Sequence, residues 1–172
     1  MTLKPKIYVA CLSAYNSGRL HGCWIDAALD VDDIYEEINT MLENSPASGA
    51  KEWTIHDYQD FGDINLSEYK CIETVTEVAE MLIEHGEVFI GVCQYYDNFR
   101  EAKRVIEEDY QGEWDSLTSW AEDIIEDTGQ LLTIPENLRY CFDYEKYARD
   151  AELSGDIFTI ENGNGLHVFW NR

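Results

Sequence analysis

The chain has 172 residues, with 35 Asp and Glu against 12 Lys and Arg, a formal net charge of -23. Hydrophobic residues make up 45% and aromatics 13%, so the acidity belongs to a chain that folds and not to a disordered tail. Such a charge excludes ordinary electrostatic binding to DNA, RNA or an anionic membrane, all of which need clustered Lys and Arg.

In chain order, Ile7 to Ser13 and Leu20 to Ala27 are dense apolar runs separated by Ala14 to Arg19, whose Asn, Ser and Gly favour a turn. They read as an antiparallel strand pair. Asp30 is placed to cap a helix running to about Glu43, with Ile34, Ile38 and Met41 or Leu42 at helical spacing. After the loop Asn44 to Gly49, Glu52 to Tyr58 reads as a third strand, and this sheet-plus-helix unit ends near Gly62. From Ser67 to His85, Tyr69, Ile72, Val75, Val78 or Ala79, and Leu82 mark one helical face, ended by Gly86.

Residues 87 to 96 fit a helix or a short strand. Asp97 is placed to cap a helix through Ile106, and Ser116 to cap one from Leu117 to Asp127, stopped by Thr128-Gly129. Pro135 opens a stretch leading to a helix from Asp143 to Leu153, stopped by Gly155. Asp156 to Ile160 and Leu166 to Trp170 are strands joined by Glu161-Asn162-Gly163-Asn164-Gly165, a hairpin signal. The expected class is α+β, elongated, with three small domains in series: residues 1–64 as a three-stranded sheet plus helix, 65–107 as a helical middle, and 108–172 as a helix with an antiparallel sheet. Units this small bury little core each, and mutual repulsion favours spreading them out.

No constellation for catalysis is visible. Cys11, Cys23, Cys71, Cys93 and Cys141 are odd in number, widely spaced and without a CxxC pair, as expected of buried small side chains in a reducing cytoplasm. His21 and Cys23 lack a second pair at zinc-ligand spacing. Asp57 to Glu68 has EF-hand-like positions at Asp57, Gly62, Ile64 and Glu68, but Gln59 and Phe61 stand where calcium ligands are needed. There is no GxSxG, Walker loop or HExxH, so neither a metal nor another cofactor is expected. The longest nearly apolar run, Val88 to Tyr96, is far short of a bilayer span, and Met1 to Lys6 leads into no signal-peptide pattern.

The informative feature is the arrangement of charge. A compact chain of this length exposes roughly 8,700 Å², about one net negative charge per ~380 Å², which costs stability by self-repulsion. Glu73, Glu77, Glu80, Glu84 and Glu87 recur at steps of four, three, four and three, one stripe if the helix persists. Glu107, Glu108, Asp109, Glu122, Asp123, Glu126 and Asp127 lie in a stretch, Val105 to Leu138, without a basic residue. Asp32, Asp33, Glu36 and Glu37 repeat the pattern in the first helix. A solvated face normally mixes signs. Single-sign rows instead copy the spaced negative charges of a nucleic-acid backbone, and a protein that grips phosphates would grip them too. Salt adaptation, an acidic scaffold, a calcium-responsive binding protein and an enzyme acting on a cationic substrate are the other readings.

The chain also resembles a known family. Ile7-Tyr8-Val9-Ala10-Cys11-Leu12-Ser13-Ala14-Tyr15-Asn16-Ser17-Gly18, then Leu20-His21-Gly22-Cys23-Trp24-Ile25-Asp26-Ala27, closely resembles the opening of the antirestriction family called ArdA. Glu84-His85-Gly86-Glu87, Ile134 to Tyr140, Phe142 to Glu145, Ala148-Arg149-Asp150 and Ser154 to Phe158 extend the likeness along nearly the whole chain. The resemblance implies a curved, elongated protein of three small domains, usually a homodimer, that mimics bent duplex DNA. It implies inhibition of type I restriction-modification enzymes by occupation of the DNA groove of the methyltransferase core, and carriage on mobile genetic elements. It supplies no catalytic residues.

Overall fold

The computed structural model describes residues 3–66, 71–163 and 165–172. The fold is α+β, and the chain divides into two compact units, residues 1–90 and 91–172. The first is built on Lys6–Cys11 (β1), which pairs antiparallel with both Gly22–Asp26 (β2) and Trp53–Gln59 (β3) in the order β2-β1-β3. Strand alternation sends Ile7, Val9 and Ile25 into the core. Val31–Glu43 (α2) brings Ile34, Ile38 and Met41 to it at helical spacing.

In the first sheet and its helices two details differ from the sequence reading. The first run does not stay extended to Ser13: Leu12–Asn16 (α1) makes a short helix that buries Ala14, and the Ser17 hydroxyl donates to the Ser13 carbonyl at 2.9 Å. Asp30 occupies the N-cap of α2, but its side chain makes no capping hydrogen bond. Ile72–His85 (α3) buries Ile72, Val75, Val78, Ala79 and Leu82, the expected face. The expected start of this helix, from Ser67 to Tyr69, and the EF-hand-like Glu68 lie outside the described residues. Gly86, with φ 55°, ends α3, and Glu87–Tyr96 (α4) is helix and not strand. The division between the two units falls inside α4.

In the second unit Phe99–Glu108 (α5) is capped by Asn98, not by Asp97. The Asn98 side-chain oxygen accepts from the Arg100 and Glu101 amides at 2.9 and 3.3 Å, whereas Asp97 sits at φ 49°. Tyr110–Trp114 (β4), unforeseen in the sequence, pairs with Gly165–Trp170 (β6), which also pairs with Ile157–Asn162 (β5), giving the order β4-β6-β5. Leu117–Asp127 (α6) begins on a Ser116–Ser119 capping box. Two short 3₁₀ segments, Gln130–Thr133 and Glu136–Cys141, lead to Tyr144–Ser154 (α7), capped by Asp143 and ended by Gly155 at φ 80°. Asn164, between β5 and β6 in the sequence, is outside the described residues. Ala148 and Ala151 present little bulk on α7, so the helix packs close to Trp120 and Ala121 of α6 over Ile157 and Val168.

Candidate functional site

The helices place the acidic residues on their outer faces because the same periodicity puts the apolar residues inside. On α3, Glu73, Glu77, Glu80 and Glu84 are all exposed while Val75, Val78, Ala79, Met81 and Leu82 between them are buried; Ile83, 48% exposed, is the apolar exception. Glu87 is exposed too, but the break at Gly86 moves it to the first turn of α4, so the continuous stripe has four members and not five. On α2, Asp32, Asp33, Glu36 and Glu37 are exposed, and on α6 Glu122, Asp123, Glu126 and Asp127 are exposed. Neither α2, α3 nor α6 contains a Lys or Arg of its own.

Asp109 is the correction. With its side chain 1% exposed it cannot belong to an acidic surface. Arg104 Nη1 donates to its Oδ2 at 2.7 Å, and Arg172 Nε lies 3.4 Å from its Oδ1. The same guanidinium binds Glu101 at 2.7 Å and Glu108 at 3.4 Å. Hydrogen bonding to Glu101 and then Asp109 pushes the Arg104 pKa upward, and the bond from Arg104 holds the Glu101 carboxyl below its usual range. Of the expected row on this side, Glu107 and Glu108 remain exposed, the latter partly neutralised. The placement of Glu101 three residues before Arg104 and of Glu108 four residues after it was the available signal for this ion-pair group.

Within the α3 row, Glu73 accepts from the Cys71 thiol and from the Tyr35 hydroxyl, the latter at 3.4 Å. The thiol bond, first, keeps the Glu73 carboxyl below its ordinary range. Burial, and then the Glu73 charge, pushes the Tyr35 phenol up. Glu73 is therefore a fixed anion at neutral pH.

The α2 row borders a cleft of about 660 Å³ against β2, with His21, Cys23 and Met41 alongside Asp33, Glu36 and Glu37. His21 Nε2 is 2.7 Å from the Met41 carbonyl, which can only accept, so this nitrogen carries a proton. Burial, and secondarily Glu37, raises the Cys23 thiol pKa. A thiol held protonated is a poor nucleophile, so the cleft offers shape and charge without an activated cysteine. All five cysteines are free, and burial pushes the Cys93 thiol up to about 12. Among the described residues no three His, Cys, Asp or Glu side chains are grouped to hold a metal ion. None of the described helices is long and apolar enough to cross a membrane.

These features define an acidic α+β protein whose surface displays helical rows of carboxylates. The model of a family described as antirestriction protein (ArdA) matches residues 7–165, so the chain belongs to the ArdA family. This is a family of inhibitor proteins directed against restriction, not of enzymes. No curated protein matches the chain.

Proposed function

We propose that the chain is a non-enzymatic DNA mimic, acting in the cytoplasm as a homodimer, that inhibits a type I restriction-modification enzyme by occupying the DNA groove of its methyltransferase core. The observation that carries this reading is the exposure of the single-sign rows on α2, α3 and α6. Glu73 to Glu84 spans about 16 Å at a rise of ~1.5 Å per residue, one carboxylate per ~5.5 Å. A DNA strand carries one phosphate per ~3.4 Å along its axis. The row is thus sparser than one strand but of the same order. Family membership supports the target class. Separation of the chain into three domains near residues 64 and 107 belongs to the same proposal, and limited proteolysis tests it: stable fragments bounded near those positions are expected, and their absence under partial digestion counts against it.

The deciding experiment changes Glu73, Glu77, Glu80 and Glu84 together to Gln. Gln is nearly as good a helix former, so the fold is expected to hold. Inhibition of a type I enzyme should fall and its salt dependence should flatten, because the basic groove meets fewer charges. Amide substitutions at Glu136, Glu145, Asp150 and Glu161, also exposed, are the control of equal charge. A stripe variant that is folded and inhibits like wild type removes α3 from the contact.

A further inference from the structure

Charge is not the whole of the first unit's surface. Cys23 on β2 lines the α2-side cleft, so strand alternation turns Trp24 to the opposite face of the sheet. Trp24 is 43% exposed, a large aromatic on an edge strand of the sheet. Its register partner on β1 is Tyr8, and the two rings lie 5.4 Å apart at 58°. Gly22, the next β2 residue on that face, has no side chain to separate them from the strand. A Cβ there would come within 2.3 Å of the Val9 carbonyl and 3.0 Å of the Tyr8 ring. The tyrosine ring therefore lies down over Gly22, widening the aromatic surface.

The neighbours of this surface are anionic. Tyr8 pairs on its other side with Asp57, and Asp26 follows Trp24 along the same face at the Lys6 register position. Both carboxylates are exposed. Paired positions across a sheet stand about 5 Å apart, so Asp57 stands beside Tyr8 on β3 and Asp26 one row along from Trp24. The Oδ1 of each accepts a backbone amide, of Tyr58 and Ala28 respectively, which leaves the second oxygen for a partner. Lys6 stands opposite Asp26, leaving a net negative rim in a chain of net charge -23. An anionic base or phosphate is repelled here. A neutral apolar partner would have to desolvate two carboxylates. A guanidinium satisfies both parts, stacking its plane on an indole while its edge meets carboxylate oxygens, and it does so better than an ammonium.

We propose that the outer face of the β2-β1-β3 sheet, centred on Trp24 and Tyr8, is an arginine-binding platform that contacts guanidinium side chains of the partner's basic groove. The inference rests on the DNA-mimic reading for the identity of the partner and adds a contact that charge mimicry alone does not supply. Aromatic and arginine residues dominate binding energy at interfaces, and a stacked contact is weakened by salt less than separated charges are.

Two measurements test it. Trp24→Ala should weaken inhibition of a type I enzyme about tenfold, with the wild-type salt dependence retained, while Trp24→Phe keeps most of the affinity. A folded Trp24→Ala variant that inhibits within about twofold of wild type overturns the proposal. If the wild-type chain does not inhibit at all, the DNA-mimic reading fails, and the platform is judged on the unmodified protein alone. There, short oligoarginine and oligolysine peptides of equal length are titrated while the Trp24 indole N–H resonance is followed by NMR. A saturable shift that is larger for oligoarginine is expected. Equal shifts with both peptides, or none, overturn it, and this arm also decides the matter should the alanine variant fail to fold.

Discussion

Helices α3 and α5 are both rich in glutamate, and they use it in opposite ways. On α3 the carboxylates Glu73, Glu77, Glu80 and Glu84 line the exposed face of a helix whose own sequence holds no Lys or Arg. On α5 one arginine, Arg104, gathers Glu101, Glu108 and the buried Asp109. The first arrangement costs the helix a few tenths of a kcal/mol for each like-charged neighbour. The second turns acidity inward as an ion-pair network closing the end of α5 where the chain enters β4. Acidic composition alone thus says little about display. What separates an interaction surface from internal wiring is whether a cation lies within helical reach.

The largest effect should come from breaking that wiring. Arg104→Ala leaves Asp109 buried with only Arg172, whose side chain is 69% exposed, near its other oxygen. Removing the guanidinium leaves the buried Asp109 carboxylate without its principal charge partner, which is destabilising even though Arg104 itself is partly exposed. Urea unfolding followed by far-UV dichroism should show it as a lowered midpoint. A matched Glu80→Gln change on α3 should alter the stability by less than ~0.5 kcal/mol and leave the midpoint nearly in place. Equal losses for the two variants would erase the distinction between the helices.

Next in size is the stability of the four-fold α3 variant. Three like-charged neighbour pairs are relieved, so a gain of up to about 1 kcal/mol is expected, offset in part by weaker acceptance from Cys71 and Tyr35 at position 73. Stability should rise or hold while inhibition falls, the reverse of Arg104→Ala. Thermal unfolding alongside the inhibition assay separates the two cases.

A smaller effect belongs to the second unit's sheet. His167 on β6 is buried, its Nδ1 is 2.7 Å from the Tyr110 hydroxyl, and its Nε2 has no hydrogen-bond partner among the described residues. Burial lowers its pKa from the ordinary 6.5, with Glu113 opposing. A lowered histidine pKa means that the unfolded chain binds the proton more readily, so this group's effect is to reduce stability as pH falls below about 6.5, down to its folded pKa. Comparison of wild type with His167→Gln over that range should show a shallower pH dependence in the variant. Identical profiles would show that the histidine keeps its ordinary pKa in the folded protein.

How much of this was legible in the sequence follows from how local each signal is. Helix α6 could be read to the residue because its start, Ser116, and its stop, Thr128-Gly129, lie beside it. The α3 row was legible for the same reason, up to the break at Gly86. Strand β4 was not: Gly112 at φ 111° and a register shift between Tyr110 and Gly112 destroy its alternation, and β6, its partner, lies some fifty residues on. Nor was the burial of Asp109, which depends on Arg104 and on Arg172 at the far end of the chain. The contrast between Asp97 and Asn98 as the cap of α5 turned on a single left-handed residue, a choice that spacing does not encode.

The smallest expected effect is of calcium, and it tests what the α3 row is for. Carboxylates at i, i+3 and i+4 lie side by side along a helix, roughly 5–6 Å between Cβ atoms, and point outward together. Calcium needs six to eight oxygens converging at about 2.3–2.6 Å, which one helical face cannot provide. The α2 row meets a cleft to which Thr40 and Asn44 add oxygens beside His21, Cys23 and Met41, but among the described residues no three His, Cys, Asp or Glu side chains converge to hold a metal ion. Calorimetric titration should therefore give weak, non-saturating heats that vanish when monovalent salt is raised, the signature of screening. Arg104→Ala and wild type should behave alike in this assay. A saturable site that survives salt would mean that carboxylates converge somewhere in the folded chain, and would favour a calcium-responsive binding protein over a mimic whose carboxylates must stay apart to imitate phosphates.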